Sequence, residues 1–160
     1  VRGKTSTRPG YDISYTLHAF PNHHRALIAV DGLGEKEKTD KPVGSSYTVE
    51  CWFRRAVAWR ADDQIVRMIY AKFLAKAKRD KEAEEQLLAA ANLAGDNAFT
   101  HLNIGLIYFD MKRFDEALSY AHKAEALGLT IPTLRDQLKK AGKWTDPAGA
   151  VEPAASQPSN

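Results

Sequence analysis

The sequence predicts an all-α fold built from antiparallel helix pairs, and three observations carry that expectation. Between residues 62 and 128, apolar and small residues recur at helical spacing, without the alternation that strands require. That stretch is cut at Lys78-Arg79-Asp80, Gly95-Asp96-Asn97 and Lys112-Arg113, which leaves four segments of about 14–16 residues. The two halves then superpose at an offset of 34 residues: Ala71 falls on Gly105, Leu74 on Tyr108, Ala83 on Ala117 and Ala90 on Ala124. Small residues at repeated places let helices cross closely, where larger side chains would hold them apart. The composition agrees: of 160 residues, 44% are hydrophobic and 27% charged, which excludes a wholly disordered or collagenous chain.

Taken in order, residues 1–11 read as an N-terminal extension, and Asp12–Phe20 as a short helix stopped by Pro21, the second half of a pair that lacks its first. A helix over about 22–33 follows, then a loop over 34–44, charged, bounded by glycines and carrying Pro42. Ser46–Arg60 reads as its partner helix, with Ala56 one 34-residue step before Ala90. The next pairs occupy 63–95 and 97–128, their helices roughly at 63–78, 80–94, 97–110 and 114–127. A last helix over 132–141 opens on Pro132, suited to a first helical position, and ends at Gly142. Leu134, Leu138 and Ala141 lie on one of its faces, so its basic and amide groups can meet water, as the end of a repeat array requires. Residues 143–160, rich in Pro and Ala, read as a flexible tail.

The segment Asn103-Ile-Gly-Leu-Ile-Tyr108, followed by Arg113-Phe-Asp-Glu-Ala-Leu118, Ala121 and Ala124, resembles a tetratricopeptide repeat (TPR) almost position for position. Gly105, Tyr108, Ala117 and Ala124 stand at defining places of that motif. The preceding unit is more divergent, with Ala71 for the glycine, Leu74 for the tyrosine and Arg67 for the tryptophan, where the later unit has His101. Phe20-Pro-Asn-His-His-Arg-Ala-Leu27 resembles the Pro-Asn junction that opens a first helix, and the loop after that helix is about six residues longer than a TPR turn. The resemblance covers 12–142 and implies a right-handed α-solenoid with a C-terminal capping helix. YTLHAFPNHHRAL is also similar to a stretch of uncharacterised, often exported, proteobacterial TPR proteins. That implies a periplasmic or extracellular location, with the cytoplasm as the alternative.

Net charge is +3 and is not gathered into a basic block, so a nucleic-acid partner is not expected. In Cys51–Arg60 aromatics mix with arginines, the composition of a single-strand binding site, but Phe53, Ala56 and Val57 fall on one face and predict core packing. The chain begins with Val1 and shows no signal-peptide core, which reads as a processed or trimmed product. No apolar run approaches the roughly 18 residues of a membrane span. No phosphate loop, nucleophile elbow or haem-attachment motif is present, and no metal or cofactor is expected. His18, His23, His24, His101 and His122 lack metal-ligand spacing and read as surface and junction residues, while Cys51 has no base beside it.

What remains is the recognition surface that the resemblance implies, a concave face lined by the first helix of each pair. The family pattern places Ile65, Met68, Lys72 and Lys76 there from one unit, and Phe99, Leu102, Leu106 and Phe109, with Asn103 beside them, from the next. Arg25 and Ile28 would continue the surface. An apolar shelf beside two lysines suits an amphipathic helix or extended peptide of acidic character, unless the Phe99–Phe109 stripe packs internally. The chaperone-binding carboxylate clamp is matched by Asn103 alone, so a chaperone C-terminus is not the expected ligand. The expected function is therefore a non-enzymatic interaction scaffold. The alternative is a subunit that assembles head-to-tail, as an oligomer or filament, through open repeat faces.

Overall fold

Each helix begins where the sequence offers a cap or a first-turn residue. A computed structural model describes residues 9–147 and places eight helices among them, with no strand. These are α1 (Pro9–Ala19), α2 (His24–Glu37), α3 (Val49–Trp59), α4 (Gln64–Lys76), α5 (Asp80–Ala94), α6 (Ala98–Asp110), α7 (Phe114–Ala126) and α8 (Thr133–Lys140). Asp63 caps α4 through the Ile65 and Val66 amides, Asn97 caps α6 through Thr100, and Thr48 caps α3 through Cys51.

Three boundaries differ from expectation by three residues or more, the first being α3, which opens at Val49 and not Ser46 because Thr48 caps it. α1 opens on Pro9, three residues before the expected start, because Gly10 lets it approach the connection after α2. A Cβ on Gly10 would collide with the Val43 carbonyl. α2 runs through Gly34–Glu37, into the segment expected to be loop, and ends where Lys38 turns left-handed. Lys76 of α4 explains the extra turn, because its ammonium is bonded to Asp31 and Glu35 on successive turns of α2. The tail residues from 148 onward and the extension residues 1–8 lie outside the described residues.

α4 packs along α5 and α6 along α7, and α2, α4, α6 and α8 are successive neighbours. The second helices α3, α5 and α7 each meet the first helix that follows. Small residues set the closeness: Ala71, Ala83, Ala90 and Ala117 are fully buried, and a Cβ on Gly105 would lie 3.1 Å from Tyr120 Cβ. The larger core side chains include Trp52, Phe53, Leu87, Ile104 and Tyr108. Trp52 gives its indole N–H to Ser45 (3.0 Å), and Trp52, Phe53 and Ala56 pack inward, while Arg54, Trp59 and Arg60 are exposed.

The 34-residue period reappears in the contacts themselves. Arg79, at the start of α5, binds Glu82 one turn on and Glu50 of α3. Arg113, at the start of α7, binds Glu116 and Glu84 of α5, each partner 34 residues further along. Arg67 and His101 differ chemically, yet Arg67 Nε donates to the Ala61 carbonyl (2.8 Å) and His101 Nε2 to Gly95 (2.8 Å), again one period apart. That bond fixes the His101 tautomer and leaves Nδ1 buried without a partner. His101 is thus a buried packing residue, stacked near Tyr120, and not the surface histidine expected.

α8 seats Leu134 and Leu138 on the end of the array. Beyond it Trp144 meets His122 edge-on (4.9 Å) and lies under Arg135 (5.1 Å), so this end is covered. Among the described residues, no helix is long and apolar enough to cross a membrane.

Candidate functional site

Side-by-side packing of α2, α4 and α6 leaves a groove across their common face. Its apolar part, about 290 Å³, is floored by Ile28 of α2, Ile65, Met68 and Ile69 of α4, and Leu106 and Ile107 of α6. Lys72, Asn103 and Asp110 supply its polar groups. Ile65, Met68, Ile69 and Lys72 follow one another at helical intervals, as do Asn103, Leu106, Ile107 and Asp110, so each helix presents one stripe. A second recess of about 320 Å³ continues from the first, sharing Lys72, Ile107 and Asp110. It lies at the C-terminal ends of α4 and α6, where Lys76, Lys78, Lys112 and Asp80 join the lining.

Of the residues expected to face a ligand, Ile65, Met68, Lys72, Asn103 and Leu106 come together in the apolar recess, with Ile28. Arg25 does not line it. The Phe99–Phe109 stripe separates. Leu106 alone of its four members faces the recess, Leu102 is buried, and Phe99 is exposed beyond the recess. Phe109 turns to its own pair, edge-on to Phe114 (5.4 Å). Periodicity accounts for Phe109, which lies about 60° round the helix from Leu106, whereas Phe99 shares the face of Leu106 but stands two turns earlier, beyond the recess.

Lys76 lines the second recess, but its charge is engaged. It lies 2.8 Å from Asp31 and 2.6 Å from Glu35. Burial works against its charge, and the two carboxylates outweigh that, holding its pKa above the usual lysine range. Lys72 makes no ion pair among the described residues.

Ile69, Ile107 and Asp110 were missed by sequence reasoning, although the register held the signal for two of them. Ile69 stands 34 residues before Asn103, and Asp110 the same distance after Lys76. Ile107 is four residues after Asn103 and so shares its stripe, about 100° round from Leu106.

Beside the groove, Asp63 joins three segments. It caps α4, accepts from Asn22 Nδ2 (3.1 Å) and meets His24 Nε2 (2.8 Å). Burial pushes its carboxyl up, but the bonds from His24, Val66 and Asn22 hold it below the usual carboxylate range. His23 caps α2. These histidines are therefore structural junctions, and among the described residues no group of three or more metal-ligand side chains is present.

No protein-family model matches this chain, and no curated protein is significantly similar to it.

Proposed function

We propose that the protein is a non-enzymatic interaction module of tetratricopeptide type, which binds a peptide segment of another protein in the groove across α2, α4 and α6. The observation that carries this reading is the apolar recess itself: Ile65 and Ile28 are exposed, Met68 and Leu106 lie deeper, and polar groups stand at the rim. Burying aliphatic ligand side chains there would contribute roughly 1.5–3 kcal/mol for each one fully enclosed. Lys72, Asn103 and Asp110 would fix the ligand's orientation. The 34-residue recurrence of caps, ion pairs and close helix crossings supports the repeat assignment, with α2–α3, α4–α5 and α6–α7 as its units and α8 as the cap.

The experiment is a selection from a displayed peptide library on the full chain, repeated on Ile65→Glu/Leu106→Glu. Peptides captured by the wild type and lost by the variant support the groove; equal capture by both refutes it.

A head-to-tail subunit is the second reading. Tyr11, Tyr15, Phe20 and Trp59, exposed on α1, α3 and the turn after α1, favour it. Against it stands the opposite end, where α8 turns Lys139 and Lys140 outward and Trp144 closes over α7.

A further inference from the structure

The aromatic residues that the groove leaves unused gather on another face. Tyr11, Tyr15 and His18 follow one another at helical intervals on α1, and the connection before α3 lays Tyr47 beside His18 (5.5 Å). His18 also meets Trp52 (5.1 Å), and the Arg55 guanidinium lies over the Tyr47 ring (5.0 Å). Two open recesses flank these contacts. One, of about 530 Å³, is lined by Tyr11, Ser14, Tyr15 and His18 with residues 44–46. The other, of about 240 Å³, is lined by Pro21, Arg55, Ala58 and Trp59. The strip thus runs from α1 to the end of α3, and none of its residues lines the groove.

Single exposed rings are ordinary on a protein surface. Here Tyr15 is 80% exposed, Trp59 66% and Tyr11 59%, along one continuous strip. Its free polar groups can all donate hydrogen bonds. Of the three tryptophans, Trp52 and Trp144 give their indole N–H to Ser45 and Asp146, whereas that of Trp59 has no partner among the described residues. The serines are engaged: Ser14 accepts from the Ser46 amide, and Ser45 donates to the Tyr47 carbonyl while accepting from Trp52. Arg54 and Arg60 are paired with Glu50 and Asp62, but Arg55 makes no ion pair among the described residues. No carboxylate among them lines either recess.

A polyproline-II segment is complementary to such a surface. It presents flat prolyl rings and unsatisfied carbonyls, and its prolines have no N–H to donate. Tyr and Trp rings supply the stacking faces, and indole, hydroxyl and guanidinium groups supply the donors. A single-stranded nucleic acid would call for several free cations, where Arg55 stands alone. We propose that the strip binds a proline-rich segment of a partner protein in polyproline-II form, its prolyl rings against Tyr15 and Trp59 and an acidic residue against Arg55. This face is separate from the groove and does not rest on the groove assignment.

The test titrates decaproline, a form ending in glutamate and its glutamine counterpart into the full chain, by calorimetry and tryptophan emission. The expected result is saturable binding with a blue shift from Trp59. Trp59→Ala and Tyr15→Ala should each bind about tenfold more weakly. Neither should lower the melting temperature, since both side chains are exposed. The glutamate form should bind about threefold more tightly than the glutamine form, as an exposed ion pair allows. Ile65→Glu/Leu106→Glu should bind like the wild type. No binding of any form, or undiminished affinity in both aromatic variants, overturns the proposal and leaves the groove standing. Equal affinity for the glutamate and glutamine forms overturns the role of Arg55. Binding lost in Ile65→Glu/Leu106→Glu moves the peptide to the groove and overturns the strip. Tighter binding of a dT20 oligonucleotide, abolished by Trp59→Ala, assigns the strip to nucleic acid. A dimer in light scattering that Trp59→Ala dissolves assigns it to a second copy, and either result overturns the proposal.

Discussion

Docking of α8 rests on one close fit, that of Leu134 against Gly105. Leu134 is 1% exposed, and its Cδ2 occupies the space that a Cβ on Gly105 would enter. Leu134→Ala removes that side chain from an eight-residue helix whose other deep anchor is Leu138. Lost transfer energy and the cavity together predict about 3 kcal/mol of destabilisation. For a chain of this size that corresponds to roughly 6–12 °C in Tm. Gly105→Ala adds the missing Cβ. In the wild type it collides with Leu134 and crowds Tyr120 Cβ at 3.1 Å. Overpacking of about 1–3 kcal/mol is set against a helix-propensity gain of about 1 kcal/mol, so the substitution costs up to about 2 kcal/mol. In the Leu134→Ala background the larger collision is gone and Gly105→Ala should be close to neutral. The expected coupling is therefore about 1 kcal/mol, with about 2 kcal/mol as its upper bound, against the 0.3–0.5 kcal/mol scatter of independent sites. Urea unfolding of the four proteins measures it. Additive effects, or a Leu134→Ala cost under about 1 kcal/mol, would refute the close-packed end.

Three further outcomes follow from the same contacts. Asp63→Ala should cost about 1–2 kcal/mol through loss of the α4 cap, whereas Asp63→Asn, the residue found at 97, should cost less; urea midpoints decide. Arg113 holds Glu84 and Glu116 below the usual carboxylate range through its hydrogen bonds, so their contribution is present above the unfolded pKa and is lost as pH falls through the lower folded one. Both pairs are about a third exposed, and screening limits each to about 0.5 kcal/mol; Arg113→Met should flatten stability below pH 5, and unaltered acid unfolding would contradict this. Lys76→Ala strips the partner from Asp31, whose side chain is 13% exposed, and should lower the melting temperature without weakening peptide capture. Lys72→Ala should do the reverse, and calorimetry with a binding assay separates them.

Residues whose roles are local were legible in the sequence. The 34-residue register, the small residues at Ala71 and Gly105 and the helix breaks all report backbone behaviour within one helix pair. Half of the groove was legible as well, because the family pattern places Ile65, Met68 and Lys72 on one face, and these three meet in the apolar recess. What escaped depends on which helix stands beside which. Lys76 reads as a free groove cation until α2 brings Asp31 and Glu35 against it, and His24 reads as an idle junction residue until Asp63 arrives from 39 positions away. Phe109 escaped for a geometric reason, a stripe that drifts round its helix. The glycines of 34–44 suggested a break in α2 that packing against Val49 and Lys76 does not permit.

The groove is tested most directly by titrating a selected peptide into isotope-labelled protein and following amide and methyl shifts. The account predicts saturable shifts at Ile28, Ile65, Met68, Leu106 and Ile107, with little change on the outer face of α5 and α7. Shifts confined to the exposed aromatics Tyr11, Tyr15 and Trp59, with the α4–α6 face silent, would contradict it.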